Sequence, residues 1–347
     1  MVRKNLFCPY YIWGLKMRVF VFVLVMSLFC CSCSADVGLS SQERTQVDIV
    51  TWNVQTFFDA TTEGTEYSDF KNHKYWNEKK YIERLNRLCL VLKTLNADIY
   101  VLQEIENESV LIDISNVLAG NAWRAKDNWK FSCFAKEEGS SIGCAILSKI
   151  PLTKVRTHGL DVRNENETQP SLRLMIQASL LVGENELVIF ANHWKSKSGD
   201  AEKSKVWRNW QESLLAHSLM NIEPVERVGV VACGDFNRDV TEFLIDNNQD
   251  GNILLRCVEN GENKTVRVFS PWLDKNGEIA YEIGSYYFRE NWNRIDNFFF
   301  YGDVKVLDFA PVSMEPWATP NKTPIPYRTY TGEGFSDHLP LKCSVLF

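Results

Sequence analysis

Short apolar runs bounded by turn-forming residues recur from residue 47 onward, interrupted by a few longer stretches of helical spacing. The first run, residues 47–54, predicts a strand. Over residues 78–95 the apolar positions Ile82, Leu85, Leu88, Leu92 and Leu95 repeat every three or four residues, the period of an amphipathic helix laid on a sheet. Residues 99–103 predict the next strand and 108–118 a second helix. Residues 129–134 and 141–147 read as antiparallel partners across a polar turn, and residues 172–180 and 186–192 do the same across Val182-Gly183-Glu184-Asn185. A long helix over 201–219, with Val206, Trp210, Leu214 and Leu215 as its buried stripe, leads into an apolar strand over 228–233. Asn276-Gly277 tolerates the positive φ angles of a two-residue turn and predicts a hairpin between 269–273 and 279–287. Strands over 297–301, 305–311 and 341–347 end the chain. Strands outnumber helices and mix hairpins with helix-connected crossovers, so the expected class is α/β, two packed mixed β-sheets flanked by helices.

The N-terminal segment stands apart from this pattern. Residues 19–33 are apolar and follow Lys16 and Arg18, yet fall short of the ~20 residues that span a bilayer as a helix. They predict a signal-peptide core, with Met17 as an alternative start and a short uncleaved anchor as the alternative reading. The run closes on Cys30-Cys31-Ser32-Cys33-Ser34, which resembles a bacterial lipoprotein signal; Cys33, after the small Ser32, is the expected lipidated residue, with Cys31 as the alternative. Either way the body of the chain is expected outside the cytoplasm, in the cell envelope, tethered to a bacterial membrane rather than freely secreted. Residues 34–46 are polar and read as a tether. Residues 47–347 then form one expected domain, since no linker, low-complexity tract or repeat divides them.

At 347 residues and 45% hydrophobic content the chain can bury a large core. Of its cysteines beyond Cys33, Cys89, Cys144, Cys233 and Cys343 sit inside apolar segments, where a thiol acts as a small hydrophobe. An even count in an exported chain permits disulfides, but most of these cysteines are expected to be unpaired, and none has the spacing of a zinc site.

Polar motifs recur where the apolar runs stop: Trp52-Asn53-Val54, Gln103-Glu104, Asn192-His193, Gly234-Asp235-Phe236-Asn237, Arg294-Ile295-Asp296 and Ser336-Asp337-His338-Leu339-Pro340. Strands of one sheet system can bring such ends to a single rim. The inventory there is carboxylates, amides and two imidazoles, without a thiol or hydroxyl nucleophile, which suits a hard divalent cation and an activated water. A serine-hydrolase triad is the rival reading of His plus Asp, but no Gly-x-Ser-x-Gly elbow is present.

The order and wording of these motifs resemble the endonuclease/exonuclease/phosphatase superfamily over nearly the whole mature chain. The resemblance implies a four-layer sandwich and a magnesium-dependent phosphoesterase, manganese being the alternative ion. It implies metal ligation by Glu104, Asn53 and Asp337, phosphate contacts from His193 and Asn237, and handling of the water's proton by Asp235 and an Asp296/His338 pair. Lys195 and Lys197 form a small basic step beside the anion, and Tyr287 and Trp292, with Tyr286, are candidates to stack a ring. The wording Asn192-His193-Trp194-Lys195-Ser196-Lys197, followed by Arg208 and Gln211, is most similar to secreted bacterial nucleases, so nucleic acid is the leading substrate. A net charge of -6 without a basic block argues against tight duplex binding through phosphate neutralisation. It leaves open a phosphodiesterase or phosphatase acting on a lipid headgroup, sugar phosphate or other small ester. A non-catalytic surface module on the same fold is the alternative of another class. The sequence implies no protein partner.

Overall fold

The computed structural model describes residues 45–120, 128–163, 168–222, 226–246, 252–259 and 261–347. In chain order the elements are β1 (Gln46–Phe57), α1 (Glu78–Leu95), β2 (Ile99–Ile105), α2 (Glu108–Ala119), β3 (Phe131–Ala135), β4 (Gly143–Ser148), β5 (Leu152–His158), β6 (Met175–Val182), β7 (Asn185–His193), α3 (Ala201–Met220) and β8 (Val228–Asp235). They continue with β9 (Leu244–Asp246), β10 (Asn252–Glu259), β11 (Glu262–Phe269), β12 (Tyr286–Phe288), β13 (Asn291–Asn293), β14 (Asp296–Gly302), β15 (Lys305–Pro311) and β16 (Leu341–Leu346). Among the described residues no helix is long and apolar enough to cross a membrane.

Two mixed sheets form the body. One runs β15-β16-β1-β2-β4-β3 and the other β5-β6-β7-β8-β14-β11-β10-β9. Alternation along each strand sorts its side chains between two cores. On β1 and β2, Ile49, Ile99 and Val101 face the second sheet, while Val50, Tyr100 and Leu102 pack with Leu85, Leu88 and Leu92 of α1 and Val110 and Ile114 of α2. Both of these helices are capped by asparagine side chains, Asn77 and Asn107, each accepting from the third backbone N–H beyond it. On the outer side of the second sheet, α3 contributes Leu215, Ala216 and Leu219. This is the expected four-layer sandwich.

Each sheet contains one parallel pair, β1 with β2 and β7 with β8; the remaining neighbours are antiparallel. The parallel pairs are joined by crossovers carrying α1 and α3. Their four downstream ends lie at one rim, where ligand sites of such sheets form. Antiparallel neighbours present their upstream ends at the same rim, so β14 starts there opposite Asp235, and the turn leading into β16 crosses there beside β1.

Two readings are corrected. Only part of the expected stripe of α3 is buried: Leu215 faces inward and Leu214 is half-buried, but Val206 and Trp210 are exposed and Trp207, Arg208, Gln211 and Glu212 face inward in their place, because two loops of the rim offer polar partners there. Asn276-Gly277 does form a tight turn, with the Gly277 N–H donating to Asp274 O, but only the single bridge Leu273–Ile279 flanks it. The hairpins of this region are instead β10–β11 and β12–β13. Strand β5, largely exposed, has only Leu152 and Val155 as apolar positions and was not expected from the sequence. All six described cysteines are free, Cys133 partly exposed and the others buried, in line with their apolar setting.

Candidate active site

The rim is assembled from strand ends, two of which need an unusual backbone. Parallel pairing sets Asn53 beside Gln103 and His193 beside Asp235, and antiparallel pairing sets Asp296 opposite Asp235. Gly234 sits one residue before Asp235 with φ 137, and a Cβ there would lie 1.9 Å from Asn192 O. Only glycine lets β8 pass that close to β7. Glu104 adopts φ 67 at a bulge where β2 slips register between Gln103 and Ile105, which turns its carboxylate out of the sheet.

Glu104 is held from two sides: its Oε2 accepts the Thr56 N–H at 2.6 Å and its Oε1 accepts Asn53 Nδ2 at 3.2 Å. The same Asn53 amide donates to Asp235 Oδ2 at 3.1 Å, while Asn53 Oδ1 accepts the Gln55 N–H. Asn53 therefore spaces two carboxylates as well as facing the cleft. Asp235 also accepts the Asn237 N–H at 2.8 Å and Asn237 Nδ2 at 3.1 Å. His193 Nε2 lies 3.7 Å from Asp235 Oδ2 and 3.8 Å from Glu104 Oε1. Across the ladder, His338 Nδ1 meets Asp296 Oδ2 at 2.7 Å with both side chains buried. Asp337 is placed by its own N–H on Gln55 Oε1, and Ser336 Oγ ties this segment to Asn53 O.

The electrostatics separate the two imidazoles. Burial, with Arg173, His338 and Lys195 nearby, holds His193 well below the usual histidine range, so it is neutral at pH 7. Burial also opposes a charge on His338, but Asp296, with Asp337 and Asp235 behind it, outweighs that and raises its pKa to about 10. His338 is thus an imidazolium at neutral pH. Burial and the facing Asp296 push Asp235 well above the carboxylate range, and burial and Asp337 push Glu104 up. Two carboxylates that repel across a cleft, with a hard-oxygen environment, are what a divalent cation relieves. Glu104 and Asp337, with Asn53 beside them, fit such an ion. Asp235, Asp296 and His338 form another close donor group, within 4.8 Å of one another, but there the His338 proton occupies the bond to Asp296.

A cleft of about 470 Å³ gathers Asn53, Glu104, His193, Asp235, Asn237, Asp337 and His338 in its lining. Of the remaining expected residues, Lys197 borders the cleft but is ion-paired to Glu242. Lys195 lies outside the lining, its backbone bound to α3. Tyr287 and Trp292 pair with each other across the β12–β13 hairpin, rings 4.9 Å apart, and neither lines the cleft. Strand parity puts Tyr286, the third expected aromatic, there together with Phe288, their rings stacked at 19°, with Tyr286 4.8 Å from His338. Cys33 lies outside the described residues.

Three residues of the site were not singled out from the sequence. Arg173 places a positive charge near both Glu104 and His193; a lone arginine between Leu172 and Leu174 was its only signal. Gln55 bonds Tyr327 N and Asp337 N through its side-chain oxygen, joining the metal-side loops. Arg84, buried in α1, donates to the carbonyls of Val54, Gln55 and Thr56 and lies 3.7 Å from the Tyr327 ring centroid, bracing the loop that holds Glu104.

A sequence model of the Endonuclease/Exonuclease/phosphatase family matches residues 48–345. No curated protein sequence matches the chain. Among solved structures, truncated TDP2 from Caenorhabditis elegans is 16% identical, with TM-score 0.53 over 87% of this chain and 98% of that one. ANGEL2, described as a 2',3'-cyclic phosphatase and solved with adenosine-2',3'-vanadate, is 12% identical, with TM-score 0.54 over 88% and 96%. An endonuclease/exonuclease/phosphatase family protein from Bacteroides thetaiotaomicron is 13% identical, with TM-score 0.51 over 88% and 99%. At these identities the likeness is one of fold.

Proposed function

The chain belongs to the endonuclease/exonuclease/phosphatase family of metal-dependent phosphoester hydrolases, and from that premise we propose that it is a magnesium-dependent phosphodiesterase acting on nucleic acid, exported and anchored through lipid at Cys33. The observation that carries the hydrolytic reading is the convergence of Asn53, Glu104, His193, Asp235, Asn237, Asp337 and His338, from five separated segments, on one cleft.

Each residue has a role its surroundings permit. Asp235, buried and raised, is the group able to take a proton from an attacking water near neutral pH. Asn53 and Asn237 fix its two oxygens, so the lone pair that receives the proton has one orientation. Neutral His193 offers a ring N–H to a phosphate oxygen, a bond that strengthens as charge develops there. His338, charged and oriented by Asp296, supplies a fixed positive group and a proton in the same cleft. A divalent cation held by Glu104 and Asp337 would neutralise the phosphoryl group's charge and polarise its oxygens. Tyr286 and Phe288 form an aromatic wall on which one base can stack.

The wall favours a single-stranded or nucleotide-sized substrate over duplex DNA, because the lysine that borders the cleft, Lys197, is already paired with Glu242 and the chain is acidic. The same facts support the second reading, a phosphodiesterase or phosphatase on a small ester. A panel of single-stranded DNA, RNA, plasmid, bis-(p-nitrophenyl) phosphate and phospholipid, each with magnesium, manganese or chelator, separates these readings. Metal-dependent cleavage lost on the order of a thousandfold in Asp235→Asn is the expected result. Full turnover in chelator would refute it. Mass spectrometry of membrane-extracted protein tests the anchor: an unprocessed N-terminus would refute lipidation at Cys33.

A further inference from the structure

The inward face of α3 carries three polar side chains in succession, Arg208, Gln211 and Glu212, each at least 96% buried. Burying charge on a helix face contributes little to stability, because desolvation offsets the attraction and apolar residues of similar volume do as well. Their partners explain the placement. Gln211 Oε1 accepts the Lys195 N–H at 2.7 Å and Arg208 Nη1 donates to Lys195 O at 3.1 Å, so the peptide two residues beyond His193 is gripped on both sides. Glu212 Oε2 accepts from Arg238, the residue after Asn237, and from Arg256 at 3.1 Å. Glu212 Oε1 accepts the Arg256 N–H and Nε. Arg238 is completed by Asn209 and lies over the rings of Trp194 and Phe243.

One helical turn of α3 thus binds the loop that leaves β7 just after His193 and the loop that leaves β8 just after Asp235 and carries Asn237. The two loops touch directly through the Trp194 N–H on Asp235 O and Asn237 Nδ2 on Trp194 O. From this geometry we infer that the α3 face, and Glu212 through Arg238 above all, is a positioning device that sets the distance between His193 and Asp235. Glu212 and Arg238 touch neither substrate nor ion; they act through the loops. The inference rests on the hydrolytic reading only for its kinetic readout.

The test compares full-length wild type, Glu212→Gln, Arg238→Lys and the double variant Glu212→Leu/Arg238→Met, with bis-(p-nitrophenyl) phosphate and magnesium. Glu212→Gln leaves Arg238 buried without its counter-charge and should lower both Tm and kcat. The apolar double variant removes both charges, and Arg256, half-exposed, can turn to water. Its Tm should return to within ~3 °C of wild type, while kcat stays on the order of tenfold or more below it with KM unchanged, since the aromatic wall and the metal-side carboxylates are untouched. Recovery of kcat together with Tm would show the pair to be structural only and overturn the inference. If the double variant does not fold, Arg238→Lys decides: it keeps the charge but cannot reach Glu212 and Asn209 in one plane, so kcat should fall at near-constant Tm, and unchanged kcat overturns the idea. If wild type cleaves nothing with magnesium, the hydrolytic reading fails by itself. The positioning claim is then judged by the ¹⁵N resonances of the His193 ring, which should shift in the folded double variant or, failing that, in Arg238→Lys; an unchanged spectrum overturns it.

Discussion

Asp296→Asn should flatten the pH dependence of folding stability at neutral to mildly alkaline pH. In the metal-free protein the His338 pKa is raised from 6.5 to about 10, mainly by Asp296 against the opposing effect of burial. A histidine raised in the folded state stabilises fully below its unfolded pKa, and that stability is lost as pH rises toward the folded value. From pH 7.0 to 8.5 the folded chain therefore holds close to one proton more than the unfolded chain at this site, and stability should fall by about 1.36 kcal/mol per pH unit, or about 2 kcal/mol over the interval. With asparagine at 296 the main raising charge is gone, burial opposes the imidazolium, and His338 should contribute almost no slope. The raised carboxyl groups Asp235 and Glu104 lose stability in the same direction and are present in both proteins; for Asp235, with a pKa of about 7, most of that loss is complete by neutral pH, and losing Asp296 together with the His338 charge removes one influence that raises it and one that lowers it. Ending at pH 8.5 limits the contribution of the buried thiols, which also favour the protonated folded state. Urea unfolding in chelator and reductant, at half-unit steps for both proteins, measures the difference. Parallel slopes would mean that His338 is not charged through Asp296, and would remove it as the fixed positive group of the site.

At Glu104→Gln, one of two facing carboxylates is neutralised, so Tm in chelator should hold or rise, while the ~2.7 kcal/mol that magnesium at a hundredfold over its Kd would add should largely vanish; a preserved magnesium shift would remove Glu104 from the ion site. Gly234→Ala forces a Cβ to within 1.9 Å of Asn192 O at a φ that alanine rarely adopts, and should cost more than about 2 kcal/mol or abolish soluble expression; near-wild-type unfolding would contradict the close β7–β8 approach. Arg84→Lys replaces a fork that spans three carbonyls by a point donor, and should cost about 2 kcal/mol and weaken magnesium stabilisation with it; loss of stability with intact metal affinity would limit Arg84 to packing.

Much of this molecule is written in local periodicity. The bounds of α1 follow from helical spacing and Asn77 as cap, and the strand ends carrying Asn53, Glu104, His193 and Asp235 follow from apolar runs that stop at polar residues. Those signals depend only on neighbours along the chain, so they are readable there. Strand β5 and the β10–β11 hairpin carry weaker apolar signals. The inward face of α3 reads as a solvated stripe until the loops that bind Arg208, Gln211 and Glu212 are in place. Tyr286 and Phe288, rather than Tyr287 and Trp292, reach the cleft because pleating sends alternate residues to opposite sides, and a hairpin register sets that parity. The charge states were likewise out of reach: two histidines alike in sequence become one neutral and one protonated according to which charges surround each buried ring. Spacing along a chain determines period and element, whereas burial and Coulomb energy depend on through-space distance, and only the folded sheets bring Asp296 to 2.7 Å from His338.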